Sequence, residues 1–390
     1  MELFDRIRKE YASRFPAPPI YVRAPGRINL IGEHLDYNEG WVLPAAVDKY
    51  MIFAMSSDPS GRCNAYAVDP DEGVNFSALD LNPGESWLNY LMGVMDGFQR
   101  RGIQVGGIDV VFGGDIPEGA GLSSSAALCC GFALGLNELL HAGLDRLELA
   151  RIAQYAEHEF AGVRCGLMDQ YASLFSEEGH VLWLDCRTMT HQLIPFAPEG
   201  YELLLVNTHV KHSLSSTAYN DRRDSCERAV RLLQKADPAI RTLRDTNVPQ
   251  LRGIESELGT DDFAKVLYVV QEIERVGLAV SALRERAFVE FGQLMYDTHW
   301  GLSQAYDVSC EELDWLVSWA AERQPHVAGA RLMGGGFGGC TLNLVRSEFA
   351  SEFRRQIADG YEQVFHRKPS IYSVKPGSGA TLLNKSGLPV

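Results

Sequence analysis

Read for the spacing of apolar and polar positions, the chain divides into a strand-rich first half and a helix-rich second half. Charged residues dominate Met1 to Arg14, which read as a helix without the apolar core of a signal peptide. Ile20 to Ala24 is a strand candidate, ended by the turn signal Pro25-Gly26. Apolar stretches follow at Trp41 to Val47 and Met51 to Ser56, with turn chemistry at Asp58 to Gly61. From Trp87 to Arg100 the period changes: Leu88, Leu91, Met92, Met95 and Phe98 fall on one helical face. Ile108 to Phe112 reads as a buried strand and leads into the glycine- and serine-rich stretch Gly113 to Ser125. A strongly apolar helix from Ser124 to Leu140 comes next, then a helix from Leu147 to Phe160 and strands at Val181 to Asp185 and Leu203 to Asn207.

Further on, helical spacing covers Ala218 to Ala236, Phe263 to Arg286, Ala287 to Ser303, Cys310 to Arg323 and Glu348 to Phe365. Gly329 to Leu344 sets a glycine-rich turn among strands, and Ile371 to Val374 closes as a strand. Segregated rather than alternating blocks predict an α+β fold of two lobes. Proline, glycine and charge at Pro195 to Gly200 suggest a boundary there, giving 1–198 as an N-terminal and 199–390 as a C-terminal domain. No solenoid repeat or low-complexity tract is visible.

Composition narrows the function. With 46% hydrophobic and 22% charged residues over 390 positions, the chain reads as globular, not as a disordered or fibrous protein. Its formal net charge of −15 argues against a nucleic-acid footprint, so an anionic ligand needs local arginines, backbone N–H groups or a cation. No apolar run is long enough for a membrane span. The eight cysteines form no C-x-x-C pair, which fits reduced thiols in a cytoplasmic protein.

Four segments carry candidate chemistry. In Pro25 to Tyr37, Glu33, His34 and Asp36 fall within four positions, a density that suits a polyhydroxylated ligand, and Arg27 offers a fixed cation for phosphate. A solvated turn is the plain alternative. In Pro117 to Ala127, glycines allow close backbone approach to an anion, and serines open a helix whose free N–H groups favour phosphate. A serine N-cap on a core helix explains the same residues. The segment lacks the lysine of a Walker A loop and the final glycine of a nucleophile elbow. Ser125 and Glu157 are the hydroxyl and carboxylate that a magnesium ion would need. Asp169, in Gly166 to Gln170, is a candidate base for a hydroxyl, although a helix N-cap explains its spacing better. Met333 to Cys340 holds five glycines in six positions and suits either a ligand-lining loop or a tightly packed hairpin.

Together these segments resemble the GHMP small-molecule kinases, and among them the galactokinases. Gly26-Arg27 through Glu33-His34 with Asp36-Tyr37-Asn38 carries the specific part of the resemblance. Cys165-Gly166, Met168-Asp169-Gln170, His212-Ser213-Leu214, Tyr219, Ser309 to Asp314 and the final glycine loop extend it along the chain. The resemblance implies a two-lobed fold with the active site in the cleft between the lobes. It implies ATP-dependent phosphorylation of the C1 hydroxyl of α-D-galactose, giving α-D-galactose 1-phosphate and ADP, the first committed kinase step of galactose catabolism. It further implies Asp169 as base and Arg27 as transition-state stabiliser. Glu33, His34, Leu35, Asp36, Gly166, Asp169 and Tyr219 become the sugar site. Gly119, Ala120, Gly121, Leu122, Ser123, Ser124 and Ser125 become the ATP phosphate loop, with Ser125 and Glu157 as Mg2+ ligands. Galactose and ATP are the implied partners of a monomeric chain, with no nucleic acid and no membrane. Leu35 departs from the usual threonine of that motif. If residues 33 to 36 are extended, His34 and Asp36 point one way and Leu35 packs behind the sugar. A kinase for N-acetylgalactosamine or L-arabinose, and a non-catalytic galactose and ATP sensor, are the alternatives.

Overall fold

The computed structural model describes residues 2–84, 86–210 and 215–390. The first half contains α1 (Glu2–Arg14), β1 (Ile20–Asn29), β2 (Trp41–Val42), β3 (Pro44–Asp58), β4 (Arg62–Ala67), β5 (Glu72–Ser77), α2 (Leu88–Gln99) and β6 (Gly107–Gly114). Helices α3 (Ser124–Leu139), α4 (Arg146–Glu159) and α5 (Met168–Phe175) follow, then the hairpin of β7 (His180–Asp185) and β8 (Thr190–Pro195). The second half contains β9 (Tyr201–Asn207), α6 (Ser215–Leu233), α7 (Val248–Arg252), α8 (Glu255–Leu258), α9 (Thr260–Arg284), α10 (Phe288–Gln304) and α11 (Glu311–Ala321). It ends with β10 (Val327–Leu332), β11 (Cys340–Arg346), α12 (Ala350–Phe365), β12 (Ser370–Val374) and β13 (Thr381–Leu383).

A six-stranded sheet in the order β13-β1-β3-β6-β4-β5 supports the first lobe; β4 and β6 run parallel and the other neighbours antiparallel. The period-2 alternation of its strands sorts side chains onto two faces. Tyr21, Ile52, Ala54 and Val111 pack with Phe4, Ile7 and Tyr11 of α1. Val22, Ala24, Phe53 and Met55 face the main core, where α3 lies. That burial explains why α3 is apolar nearly all round. The second lobe is built on a sheet ordered β10-β11-β9-β12, with apolar side chains of α11 and α12 packed on it.

Three expectations change. Pro25-Gly26 is not a turn: β1 continues through it by a register shift between Pro25 and Arg27. Residues 44–58 form one strand, because the polar stretch around Asp48 is held by Lys375, whose N–H donates to Asp48 Oδ1 at 3.0 Å. The short strand β4, the polar edge strand β5, the β8 partner strand and the short helix α5 escaped the apolar pattern. The connection at 196–200 does join β8 to β9, but β13 returns from the far end of the chain to pair with β1, Tyr21 opposite Leu383. One apolar core runs through both halves, from Val22 to Ala380.

Candidate active site

Where the bulge of β1, the loop into α3, the α4 and α5 helices, α6 and the β10–β11 turn converge, they enclose a cavity of about 360 Å3. Arg27, Glu33, His34, Asp36, Gly119 to Ser125, Glu157, Asp169, Tyr219 and Gly334 to Phe337 line it. A concave site with a few convergent polar groups is the usual form of a small-molecule site.

The bulge positions Arg27. Its N–H donates to Leu122 O at 3.0 Å, and a Cβ on Gly26 would come within 2.7 Å of that same carbonyl. Only glycine lets β1 approach the serine loop this closely. The Arg27 guanidinium, 5% exposed, grips Asp169 with both ends of its fork: Nε to Oδ1 at 2.6 Å and Nη2 to Oδ2 at 2.7 Å. Its Nη1 donates to Gly121 O. Asp169 lies in the first turn of α5, whose N-cap is Leu167, so the capping explanation for Asp169 falls away.

Ser123 is the N-cap of α3, yet its side chain caps nothing; it donates to Asp169 Oδ2. Its φ of 52° is left-handed, a strained conformation for serine that turns the hydroxyl toward the carboxylate. The first N–H groups of α3 are therefore left without a side-chain cap at the cavity wall, the arrangement that receives phosphate at a helix N-terminus. Behind the loop, Ser125 Oγ donates to Glu157 Oε2 at 3.1 Å and Gln170 Nε2 to Glu157 Oε1 at 2.7 Å. Burial, and next the charge of Asp169, push the Glu157 carboxyl up to about 7.

Glu33, His34 and Asp36 also line the cavity. Burial favours a neutral Glu33, but Arg331 and Arg27 outweigh it and hold the carboxyl below its ordinary value. Arg331 Nη2 lies 2.8 Å from Glu33 Oε1, which also accepts from Gly334 N at 2.8 Å. His34 Nδ1 lies 2.8 Å from Tyr37 Oη, which lies 2.7 Å from Tyr306 Oη. Burial lowers the imidazole to about 4, so His34 is neutral. The Tyr219 ring sits 5.1 Å from that of His34. Gly166 does not line the cavity but backs Asp36: a Cβ there would fall 2.2 Å from the carboxylate.

Burial, and then the neighbouring Asp169 charge, raise Asp36 from 3.8 to about 7. Between those values the folded protein holds a proton that the unfolded chain has released, so stability falls as pH rises through that window. Asp36→Asn removes the penalty. Calorimetry is expected to give the variant a higher Tm than the wild type at pH 8 and no comparable gain at pH 4.

Leu35 is a correction. The residue is fully buried in the core and does not line the cavity. The segment is not extended: His34 has a φ of 65° and residues Asp36–Asn38 form a single 3-10 turn, so Glu33, His34 and Asp36 all face the cavity while Leu35 turns away. Leu35→Thr is therefore expected to alter kcat/KM for the sugar by less than about tenfold, or roughly 1.4 kcal/mol, with no change in preference among sugars. Steady-state kinetics on a sugar panel checks this.

His212, Ser213 and Leu214 lie outside the described residues. Sequence reading missed Arg331, Tyr37 as the partner of His34, Tyr306 and the contact of Ser123 with Asp169. An arginine inside the apolar strand Val327–Leu332 was the available signal for the first; the others depend on contacts between distant segments.

The chain is similar to known proteins along nearly its whole length. The family model for the galactokinase galactose-binding signature matches residues 9–57, and those for GHMP kinases N terminal domain and GHMP kinases C terminal match 89–177 and 279–363. A galactokinase of Thermotoga neapolitana is 37% identical over 359 residues, 92% of this chain and 98% of that protein. One of Thermococcus kodakarensis is 38% identical, covering 93% and 99%. The crystal structure of Lactococcus lactis galactokinase complexed with galactose superimposes with a TM-score of 0.92 at 30% identity, covering 97% and 99%. A mevalonate kinase, at 17% identity and a TM-score of 0.61 over 91% and 98%, shares the fold. By sequence along nearly its whole length and by structure, the chain belongs to the galactokinase family of the GHMP kinases.

Proposed function

We propose that this enzyme transfers the γ-phosphoryl group of ATP to the C1 hydroxyl of α-D-galactose, giving α-D-galactose 1-phosphate and ADP. The observation that carries the reading is the Arg27–Asp169 pair on the cavity wall, between the carboxylates of the 33–36 turn and the uncapped start of α3. Glu33 and Asp36 accept from sugar hydroxyls, and His34 and Tyr219 fix the ring. Asp169 takes the C1 hydroxyl proton as the phosphoryl group transfers. Arg27 holds that carboxylate in place and puts positive charge beside the transferring phosphoryl oxygens. The N–H groups of Gly119 to Ser125 hold the ATP phosphates.

Ser125 and Glu157 suit Mg2+, because an adjacent hydroxyl and carboxyl form an oxygen donor pair for a hard cation, and the raised Glu157 carboxyl marks a place where positive charge is wanted. When bound, the ion neutralises phosphate charge. Eight unpaired cysteines support a cytoplasmic, reducing setting, and a monomer completes the proposal. No described helix is long and apolar enough to cross a membrane.

Arg27→Lys keeps a charge but loses the fork that spans both Asp169 oxygens. A fall in kcat of at least about tenfold is expected, since the charge leaves the developing transition state. Near-wild-type turnover would assign Arg27 to loop support instead. An ADP-release assay with galactose, N-acetylgalactosamine and L-arabinose, each with Mg-ATP, tests the whole reading. Galactose is expected to be the best substrate and EDTA to abolish turnover. A preference for either other sugar overturns the substrate, and a folded, sugar-binding protein without ADP release makes it a sensor.

A further inference from the structure

A second cavity, of about 210 Å3, lies on the far side of Tyr37 from the sugar site. Its walls come from α6, from residues 241–242 and from the turn that carries Asp36. Arg223, Glu227 and Arg231 are spaced four apart, so they stack along one face of α6. Arg223 Nε donates to Glu227 Oε1 at 3.1 Å, which uses the one acid among them. Arg231, and Arg241 from the neighbouring segment, also line the cavity, and their side chains make no hydrogen bond or ion pair among the described residues. In a chain of net charge −15, this cavity therefore carries two guanidinium groups, both on exposed residues, that have no acidic partner among the described residues.

We propose that the cavity binds a small phosphorylated metabolite and that its occupancy changes the affinity of the sugar site. Two planar guanidinium forks match the charge and geometry of a phosphate dianion. The volume falls below the usual range for drug-sized ligands and suits a phosphate carrying a short organic group. Coupling runs through Tyr37. Its ring lines this cavity, its hydroxyl lies 2.8 Å from His34 Nδ1, and the Arg223 guanidinium stands 6.0 Å from its ring centroid. An anion that draws on Arg223 acts on the tyrosine that holds His34 in place.

The test is calorimetric titration of glycerol 3-phosphate into the whole protein with ADP and Mg2+ present, so that the Gly119 to Ser125 loop is filled. Wild-type protein is expected to bind, and Arg231→Gln/Arg241→Gln to bind at least about tenfold more weakly, the loss expected for charge-assisted hydrogen bonds. Galactose is then titrated with and without saturating glycerol 3-phosphate. Its Kd is expected to shift at least about fivefold in the wild type and to stay constant in the double variant. Circular dichroism verifies that the double variant is folded. Absence of binding, equal affinity in both proteins, or a galactose Kd that ignores the probe overturns the proposal. The galactose arm rests on the proposed function. A wild type that binds the probe but not galactose counts against that function, while the probe titrations still decide the anion site.

Discussion

Asp169→Asn is expected to leave the fold intact and to lower kcat by about 10²- to 10⁴-fold, the usual contribution of a general base. Asparagine keeps the shape of the side chain but cannot take the proton of the sugar hydroxyl. The geometry sharpens the expectation, because Asp169 gathers the Arg27 fork and the Ser123 hydroxyl at the cavity wall. The amide would also present an N–H2 group toward one of those donors, so the local contacts loosen on the catalytic side. The core is untouched, and KM for galactose should move far less than kcat. Steady-state kinetics with circular dichroism checks both halves. A folded variant that retains half its activity would remove Asp169 from the role of base.

Arg331→Met carries the largest expected effect on stability. Arg331 is fully buried, its Nη2 lies 2.8 Å from Glu33 Oε1, and its Nη1 donates to Asn29 O at 2.7 Å. Breaking a buried pair by removing one partner strands the other charge, and the loss is about 3–5 kcal/mol. Urea unfolding should show the midpoint fall accordingly. Adding Glu33→Gln to Arg331→Met removes the stranded charge and should recover part of the stability but not sugar affinity. An Arg331→Met protein as stable as the wild type would mean that Arg27 alone suffices to hold Glu33 ionised.

How much of the site could be read in the sequence depends on how local each feature is. Glu33, His34 and Asp36 crowd one short segment, and the glycine-serine stretch precedes an unmistakably apolar helix, so both were visible as linear patterns. Alternation misplaces Leu35 because the backbone turns there: His34 adopts a positive φ and a 3-10 turn follows. The capping explanation for Ser123 and Asp169 was reasonable locally and is overruled by their contact with each other. Tyr306 and Arg331 reach the site from 269 and 302 positions away from their partners Tyr37 and Asn29, a separation that no local pattern encodes.

By itself, then, the order of residues determined the elements with strong periodicity, such as α2, α4, α10 and α12, since a repeating apolar face declares itself within a few turns. It also determined the two polar segments whose residue types suit a sugar and a phosphate. Tertiary structure alone decided that β1 runs through Pro25-Gly26, because the bulge answers to Leu122 in another segment. It alone returned β13 to the first sheet, since a short strand at a chain end carries too few residues to announce its partner. And it alone set the ionisation of Glu33, Asp36 and Glu157, because burial and the charges of residues distant in sequence shift a carboxyl more than its neighbours along the chain do.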